Sequence, residues 1–380
     1  MKLLYVVRSD LDDASYVGVK KKILAQLKIF QEHFQSDLMF LNKNKIMLGD
    51  SVLKVINPPS GILGRYMKFK AYRNLIYELS RDYQVIYVRY TTPDPILIKT
   101  LQKIKKNCLL VLELPTNGEA ASKEIKRIEK KLLFSMFYQQ YIELFDVVAV
   151  CTKASEFEKR LPSDKVVVFT NGFDVESVSP KVKLEANPDE EFHLISVANN
   201  SFWHGYDRVI KGLYNYYRNN PSTKVIYHVV GVGDANKDLE KLTKDLELEK
   251  YVIFHGPKFG DELWQLYNIS HIAISSLGDH RKGLFSASVL KSREYCAVGI
   301  PFVYSTPDPD FPERFKFSQK VPQTDEPINI EELIRFYKNI SQYDYIKEMR
   351  TYAEQNLTWK VKMKPIIEKI FEKLSQRQGI

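Results

Sequence analysis

The stretch 281–301, RKGLFSASVLKSREYCAVGIP, holds the densest set of side chains able to do chemistry. Glu294 can accept two hydrogen bonds from a diol. On residue types alone, an ion pair with Lys291 or Arg293 on a solvated helix face is the simpler use of it. The loop Gly283–Leu284–Phe285–Ser286–Ala287–Ser288 leads into a helix that includes Leu290 and Glu294. A helix amino end exposes unpaired N–H groups and a positive dipole end, which suit a phosphate. Gly283 permits close backbone approach. Ser286 and Ser288 can donate to an oxygen or simply cap the helix. Arg281 and Lys282 carry positive charge into the same loop, toward an anion or toward water.

Other polar clusters say less. Gly231 and Gly233 in GVGD (231–234) follow a strand but fall far short of a dinucleotide fingerprint. Asp308 and Asp310 have the spacing of an acidic metal pair, yet Pro309 between them reads as a turn. The three cysteines, Cys108, Cys151 and Cys296, lie in or beside apolar stretches and have no metal-ligand spacing, so they read as buried free thiols of a cytosolic protein. The seven histidines form no zinc pattern. No metal and no cofactor is expected.

Elements that would position these residues follow from hydrophobic periodicity. Strands are expected at 2–8, 84–90, 108–114, 147–152 and 165–172, with helices at 17–34, 95–106, 122–145 and 153–161. A polar, proline-bearing break at 178–191 reads as a linker. A second series follows, with strands at 192–199, 224–233, 251–256, 271–276 and 301–305 and helices at 205–220, 235–248 and 260–270. A tail helix covers 360–376. Strand–helix alternation implies α/β domains with parallel sheets and helices on both faces. Ligands of such sheets bind beyond the carboxyl ends of the strands.

The chain has 380 residues, 44% of them hydrophobic, and a formal net charge of +9. This favours an anionic partner, either a nucleotide phosphate or an anionic membrane face. No aromatic-and-basic motif points to nucleic acid. Apolar runs are strand-sized, so no membrane-spanning helix or signal peptide is expected. In the helix at 122–145, Ile125, Ile128, Leu132 and Met136 form a stripe flanked by Lys123, Lys126, Arg127, Lys130 and Lys131. That stripe packs on its own sheet or rests on an anionic leaflet.

The segments ISVANNSFWHGYDRVI, VIYHVVGVG, VIFHGPKFGDELWQLYNISHIAISS and GLFSASVLKSREYCAVGIP resemble the second half of group 1, or family 4, glycosyltransferases of the GT-B fold. The first half is compatible through Gly18 before a helix, LELPT and TNGFD. The resemblance implies two Rossmann-like domains facing a central cleft, with a C-terminal helix returning to the first. The expected boundaries are 1–180 for the acceptor side, 181–191 for a linker, 192–358 for the donor side and 359–380 for the returning helix. The second glutamate of the family's helix, five residues before Gly-x-Pro, falls on Glu294 ahead of Gly299 and Pro301, which implies a ribose contact. The first, eight positions earlier, falls on Ser286. The family's two cationic positions fall near Ala198 and on His204, with Gly205 retained, and Arg281 and Lys282 are candidate substitutes. Gly18, Gly231, Gly233 and Gly256 would line the donor pocket, and Arg89 and Thr116 the acceptor side. Glu113 is either a catalytic base or a satisfied structural carboxylate.

The implied activity is metal-independent, retaining hexosyl transfer from a nucleotide-diphosphate sugar to a glycan, lipid-linked or protein-linked acceptor, as in bacterial capsule or exopolysaccharide assembly. It would take place in the cytoplasm or at the inner face of the plasma membrane. A non-catalytic subunit of the same fold and a nucleotide-sugar epimerase are the alternatives.

Overall fold

Alternating apolar strands and amphipathic helices fold into two separate sheets. The structure is a computed structural model that describes residues 1–13, 16–57, 59, 61–125, 127–182 and 188–378. It divides into Met1–Thr170 with Lys362–Ile380 (unit 1) and Asn171–Val361 (unit 2). Part of the expected linker, residues 183–187, lies outside the described residues. The division falls after Thr170, ahead of the expected 180. Asn171 and Phe173 are already fastened into unit 2: the Asn171 carbonyl accepts from Arg293 Nε at 2.6 Å, and Phe173 N donates to Leu357 O at 2.8 Å.

Unit 1 runs β1 (Lys2–Asp10), α1 (Val17–His33), β2 (Gln35–Asn42), β3 (Lys45–Leu48), β4 (Ser51–Val55), α2 (Ile62–Leu79), β5 (Val85–Arg89), α3 (Pro95–Ile104), β6 (Leu109–Leu114), α4 (Gly118–Glu124), α5 (Ile128–Glu143), β7 (Val147–Cys151) and β8 (Val166–Phe169). The sheet order is β4-β3-β2-β1-β5-β6-β7-β8. All neighbours pair in parallel except β2–β3–β4, an antiparallel meander at one edge. This meander and α2 fall within residues 35–83, to which the periodicity assigned nothing. Short strands such as KIML and a helix that alternates cations with aromatics carry little period of their own.

Two expected helices are revised. The span 122–145 is broken between α4 and α5, with Ile125 and Arg127 extended. The buried face of α5 is Phe134, Tyr138, Tyr141 and Ile142, continued by Phe145. Its other apolar stripe faces outward, with Ile128 85%, Leu132 59% and Met136 62% exposed, so it does not pack on the sheet. Of the flanking cations, Arg127, Lys130 and Lys131 are exposed and Lys126 lies outside the described residues. The span 153–161 is a turn ending in one 3-10 helix, Glu158–Arg160. The buried Glu158 carboxylate dictates it by accepting from Gly118 N (2.9 Å), Tyr138 OH (2.6 Å), Ser155 N (2.7 Å) and Ser155 Oγ (2.5 Å).

Unit 2 runs β9 (Glu191–Val197), α6 (Tyr206–Tyr217), β10 (Lys224–Val230), α7 (Asn236–Asp245), β11 (Val252–Gly256), α8 (Gly260–Ile269), β12 (Ile272–Ile274), α9 (Leu290–Val298), β13 (Phe302–Tyr304), β14 (Ser318–Lys320), α10 (Ile330–Ile340) and α11 (Tyr345–Asn356). Its six strands are all parallel, in the order β11-β10-β9-β12-β13-β14. Such a sheet, covered on both faces, explains the near-continuous apolar strands. The last helix, α12 (Trp359–Gln378), supplies residues 362–378 to unit 1. There Phe371 stacks on Phe34 at 5.0 Å and meets His33 of α1 at 6.4 Å, and Arg377 pairs with Asp146 at 2.9 Å.

Unit 1 is pinned at the end of β6 by one carboxylate. Glu113 is fully buried and accepts from Arg89 (2.5 Å), Lys22 (3.2 Å), Tyr5 OH (3.1 Å) and Tyr87 OH (3.2 Å). Lys22, near the start of α1, is only 7% exposed and lies over the Phe169 ring. Burial raises the proton affinity of Glu113, but Arg89 and Lys22 overcome it and hold the group down at about 2. A saturated carboxylate of this kind is an anchor, not a base. Its folded pKa is depressed, so its contribution is present above the unfolded value and lost as pH falls. The stability of unit 1 should hold from pH 7 to 5 and drop by about 3 kcal/mol between pH 4.5 and 2. Glu113→Gln should remove about 3–5 kcal/mol at pH 7 by leaving two buried cations unpaired, as read by urea unfolding of unit 1 tryptophan-independent signals such as far-ultraviolet circular dichroism.

Candidate functional site

Chemistry-bearing residues of unit 2 gather at the carboxyl ends of β9, β10, β11 and β12. The turns are built on glycines that have no alternative. A Cβ on Gly231 (φ +107) would meet Ala198 O at 1.9 Å, and one on Gly233 would meet Asn200 O at 2.0 Å. These glycines therefore let the loops after β9 and β10 touch, and Gly231 N donates to Gly256 O at 2.8 Å. Gly205 (φ +67) ends the turn Phe202–His204, and its Cβ would strike Leu277 and Gly278 at 2.9 Å.

Helix α9 carries three charged residues to three different places. Arg293 is 0% exposed. It donates from Nη1 to Asp308 Oδ2 (2.8 Å) and Val289 O (3.0 Å), from Nη2 to Asp308 Oδ1 (3.0 Å) and Asp310, and from Nε to Asn171 O. The Asp308–Asp310 pair is thus a receptor for Arg293. Among the described residues no group of three or more His, Cys, Asp or Glu side chains is arranged to hold a metal ion. Lys291 Nζ donates to Tyr206 OH at 2.9 Å over the Tyr206 ring. Burial pulls its proton affinity down, against the pull of Asp279. Glu294 is half-buried, and its Oε1 accepts from Tyr267 OH at 2.9 Å.

His204 supplies no charge where the resemblance has a cation. Burial, then Lys291 and Lys282, push it down to about 2, so it is neutral. Its ring stacks on Tyr206 at 5.3 Å, and its Nδ1 accepts from Ser201 N at 3.2 Å. The cations beside this position are Lys291 and Lys282, the latter over the Trp203 ring at 4.2 Å. Arg281 is committed elsewhere. Its guanidinium binds Asp207 through both Nη atoms (2.8 and 3.0 Å), Asp325 through Nε (2.7 Å) and Phe202 O. Of the cations in this region, Arg281 is thus a clamp between α6 and the 279–282 turn, whereas Lys282 and Lys291 lie beside His204. Only depth of burial distinguishes Lys291, which spacing alone does not reveal.

The loop 283–288 is partly closed on itself. Gly283 N and Leu284 N donate to His280 O (2.8 Å) and Asp279 O (3.1 Å), and Ala287 N to Pro307 O (3.1 Å). Among the described residues the N–H groups of Phe285, Ser286 and Ser288 meet no acceptor. Neither serine caps α9, whose N-cap is Val289 with no side-chain bond. Ser288 instead holds Asn171, accepting its N–H on Oγ at 2.8 Å and its Nδ2 on the carbonyl at 2.7 Å. Leu290 and Phe285 are exposed. Of the remaining candidates, Gly18, Arg89, Glu113 and Thr116 belong to unit 1. Gly18 sits exposed in the first turn of α1, with no atom that a Cβ would meet. Thr116 is half-buried after β6.

The family model described as "Glycosyl transferases group 1" matches residues 180–349. No curated protein matches the chain by sequence. Solved structures with a similar fold include a glycosyltransferase from Rickettsia africae ESF-5 (TM-score 0.65, 15% identity, 98% of each chain covered). They also include sucrose-phosphate synthase from Thermosynechococcus elongatus (0.63, 14%, 98% of this chain and 100% of that one) and Anabaena HepE in complex with UDP and glucose (0.61, 16%, 98% and 100%). At these identities the structures establish the fold over the whole length. Residues 180–349 match the group 1 glycosyltransferase family, and over its whole length the chain has the fold of two Rossmann-like domains found in the solved glycosyltransferases.

Replacing Arg293 by Met should leave Asp308 and Asp310 as buried, uncompensated carboxylates. The expected loss is about 3–5 kcal/mol, read as a lowered melting temperature, with Asp308→Asn in the same background recovering part of it.

Proposed function

We propose that this glycosyltransferase takes a nucleotide-diphosphate sugar as donor and transfers the sugar with retention of configuration, without a metal ion, to a glycan, lipid-linked or protein-linked acceptor. The observation that carries the donor side is Glu294. It is half-buried, oriented by the Tyr267 hydroxyl, five residues before Gly299 and inside the family-matched span. A carboxylate has four lone-pair sites, enough to accept from a ribose diol besides its protein partners. Lys291 and Lys282 offset the diphosphate charge. The amides of Phe285, Ser286 and Ser288 and the uncapped start of α9 donate to its oxygens. Stabilising the leaving diphosphate in this way lowers the barrier to glycosyl transfer without a metal. The UDP and glucose held by Anabaena HepE favour a UDP-hexose over other donors. Anomeric configuration of the product, read by proton NMR, tests retention.

The acceptor reading draws on α5. Its outward stripe of Ile128, Leu132 and Met136, beside exposed Arg127, Lys130 and Lys131, suits an anionic leaflet, each cation contributing about 1 kcal/mol near the surface. Among the described residues no helix is long and apolar enough to cross a membrane. A peripheral position at the cytoplasmic face fits a lipid-linked acceptor in capsule or exopolysaccharide assembly.

Three outcomes follow. Glu294→Ala should weaken UDP binding by about ten- to a hundredfold in calorimetry with the fold intact, since a hydrogen bond to a charged group contributes about 1.5–3 kcal/mol. Unchanged affinity would place the site wrongly. An arriving diphosphate should restore charge to Lys291, so UDP binding should take up protons at neutral to alkaline pH, seen as a dependence of the binding heat on buffer ionisation. Lys291→Met should abolish that uptake. The protein should sediment with anionic but not neutral vesicles and be released by salt, because screening shortens the reach of charge to about 8 Å at physiological ionic strength. Ile128→Ser with Leu132→Ser should prevent it.

A further inference from the structure

Unit 1 gathers more buried positive charge than its own carboxylates satisfy. At the carboxyl ends of β1 and β5, Arg8 and Arg73 share one partner, Asp94. Arg73 Nη1 reaches its two oxygens at 3.2 and 3.0 Å, and Arg8 Nη1 lies 3.9 Å away. Asp94 is itself occupied as the N-cap of α3, accepting from Ile96 N (3.0 Å) and Leu97 N (2.9 Å). Next to them Arg89 and Lys22 share Glu113. Four cations therefore face two carboxylates. Arg73 is only 5% exposed, yet its Nε and Nη2 have no partner. The Oγ1 of Thr91 and the hydroxyls of Tyr90 and Tyr141 are also buried and unpartnered. Burying such donors without acceptors is costly, and a guanidinium cannot shed its charge to avoid it.

A small, mainly apolar cavity touches part of this cluster; Tyr141 does not line it but lies within electrostatic reach of Arg8. Arg8, Arg73, Arg89 and Thr91 line it, with room of about 10 Å³, enough for one oxygen atom. The Arg8 guanidinium, 17% exposed and resting on the Phe69 ring at 4.4 Å, lies toward solvent. The unused atoms are N–H donors and hydroxyls around excess positive charge. A planar guanidinium fork binds oxyanions through paired N–H···O contacts, so the complementary group is an oxyanion rather than a neutral sugar hydroxyl.

We propose that Arg73, Arg8, Thr91 and Tyr141 form an oxyanion subsite at the carboxyl ends of β1 and β5, which holds a phosphate or carboxylate carried by the acceptor. One oxygen enters the cavity against Arg73 Nε and Nη2, and the remainder faces Arg8. That this group belongs to the acceptor rests on the transferase reading; the anion site itself does not.

The test uses the full chain with saturating UDP present, so that any phosphate-binding groups of unit 2 are filled. Inorganic phosphate, glucuronate and glucose are titrated at constant ionic strength by thermal shift and calorimetry. Phosphate or glucuronate should stabilise the protein and glucose should not, and the tighter anion tells which acceptor group is meant. Arg73→Ala should weaken the anion by about tenfold or more and Tyr141→Phe by about three- to tenfold, with UDP affinity unchanged in both. If Arg73→Ala does not fold, Arg8→Gln and Tyr141→Phe decide. No stabilisation by either anion, or equal stabilisation of wild type and folded variants, overturns the proposal. Donor hydrolysis, followed separately on the wild type, reports on the transferase reading alone.

Discussion

Everything placed on α9 depends on the burial of one guanidinium. Arg293 is wholly enclosed, and its donors are spent on Asp308, Asp310, Val289 O and Asn171 O. Removing a charge from water costs several kcal/mol, and only a bidentate carboxylate with further acceptors offsets it. Once Arg293 points inward, the rotation of the helix is set. Successive residues lie about 100° apart, so Glu294 turns to Tyr267 and Lys291 to Tyr206. The same arginine draws Asn171 into unit 2 and so defines where that unit begins.

Backbone contact shapes the neighbouring turns. Gly231 and Gly233 let two strand-end loops meet at distances no side chain allows, and Gly205 does the same against Leu277 and Gly278. These glycines serve packing first. A nucleotide would meet a surface whose rigidity comes from those contacts. Positive charge beside His204 comes from Lys291 and Lys282, and the histidine itself is too buried to carry any. Arg281 meanwhile ties the 279–282 turn to α6 through Asp207.

The two units handle charge differently. Unit 2 satisfies its two fully buried guanidiniums, Arg208 and Arg293, with several acceptors each. Unit 1 closes Glu113 completely but leaves Arg73 half-served beside it. A scaffold that satisfies one arginine fully and another only in part has the electrostatics of a structural core next to a binding place, since unpaired buried donors persist where an external group completes them.

Most of the alternation was readable in the chain. Apolar runs such as LLVLEL and VVAV can only be covered strands, and EYCAVGIP marks the end of a helix with Gly299 at its left-handed cap. The family likeness rests on that local information, as does the place of Glu294. Residues 35–83 were not readable, because short edge strands owe their shape to the strands they pair with rather than to their own period. The stripe on α5 misled for a related reason. Two apolar faces share that helix, and only the sheet beneath selects Phe134 and Tyr138 over Ile128 and Leu132. Sequence by itself determined the long apolar strands and the amphipathic helices of the alternating series, because those depend on neighbours along the chain. The partner of each charge was decided by tertiary structure alone. Lys22 finds Glu113, Arg73 finds Asp94 and Arg293 finds Asp308 across turns of chain that no local pattern measures, and those pairings separate an anchor from a site.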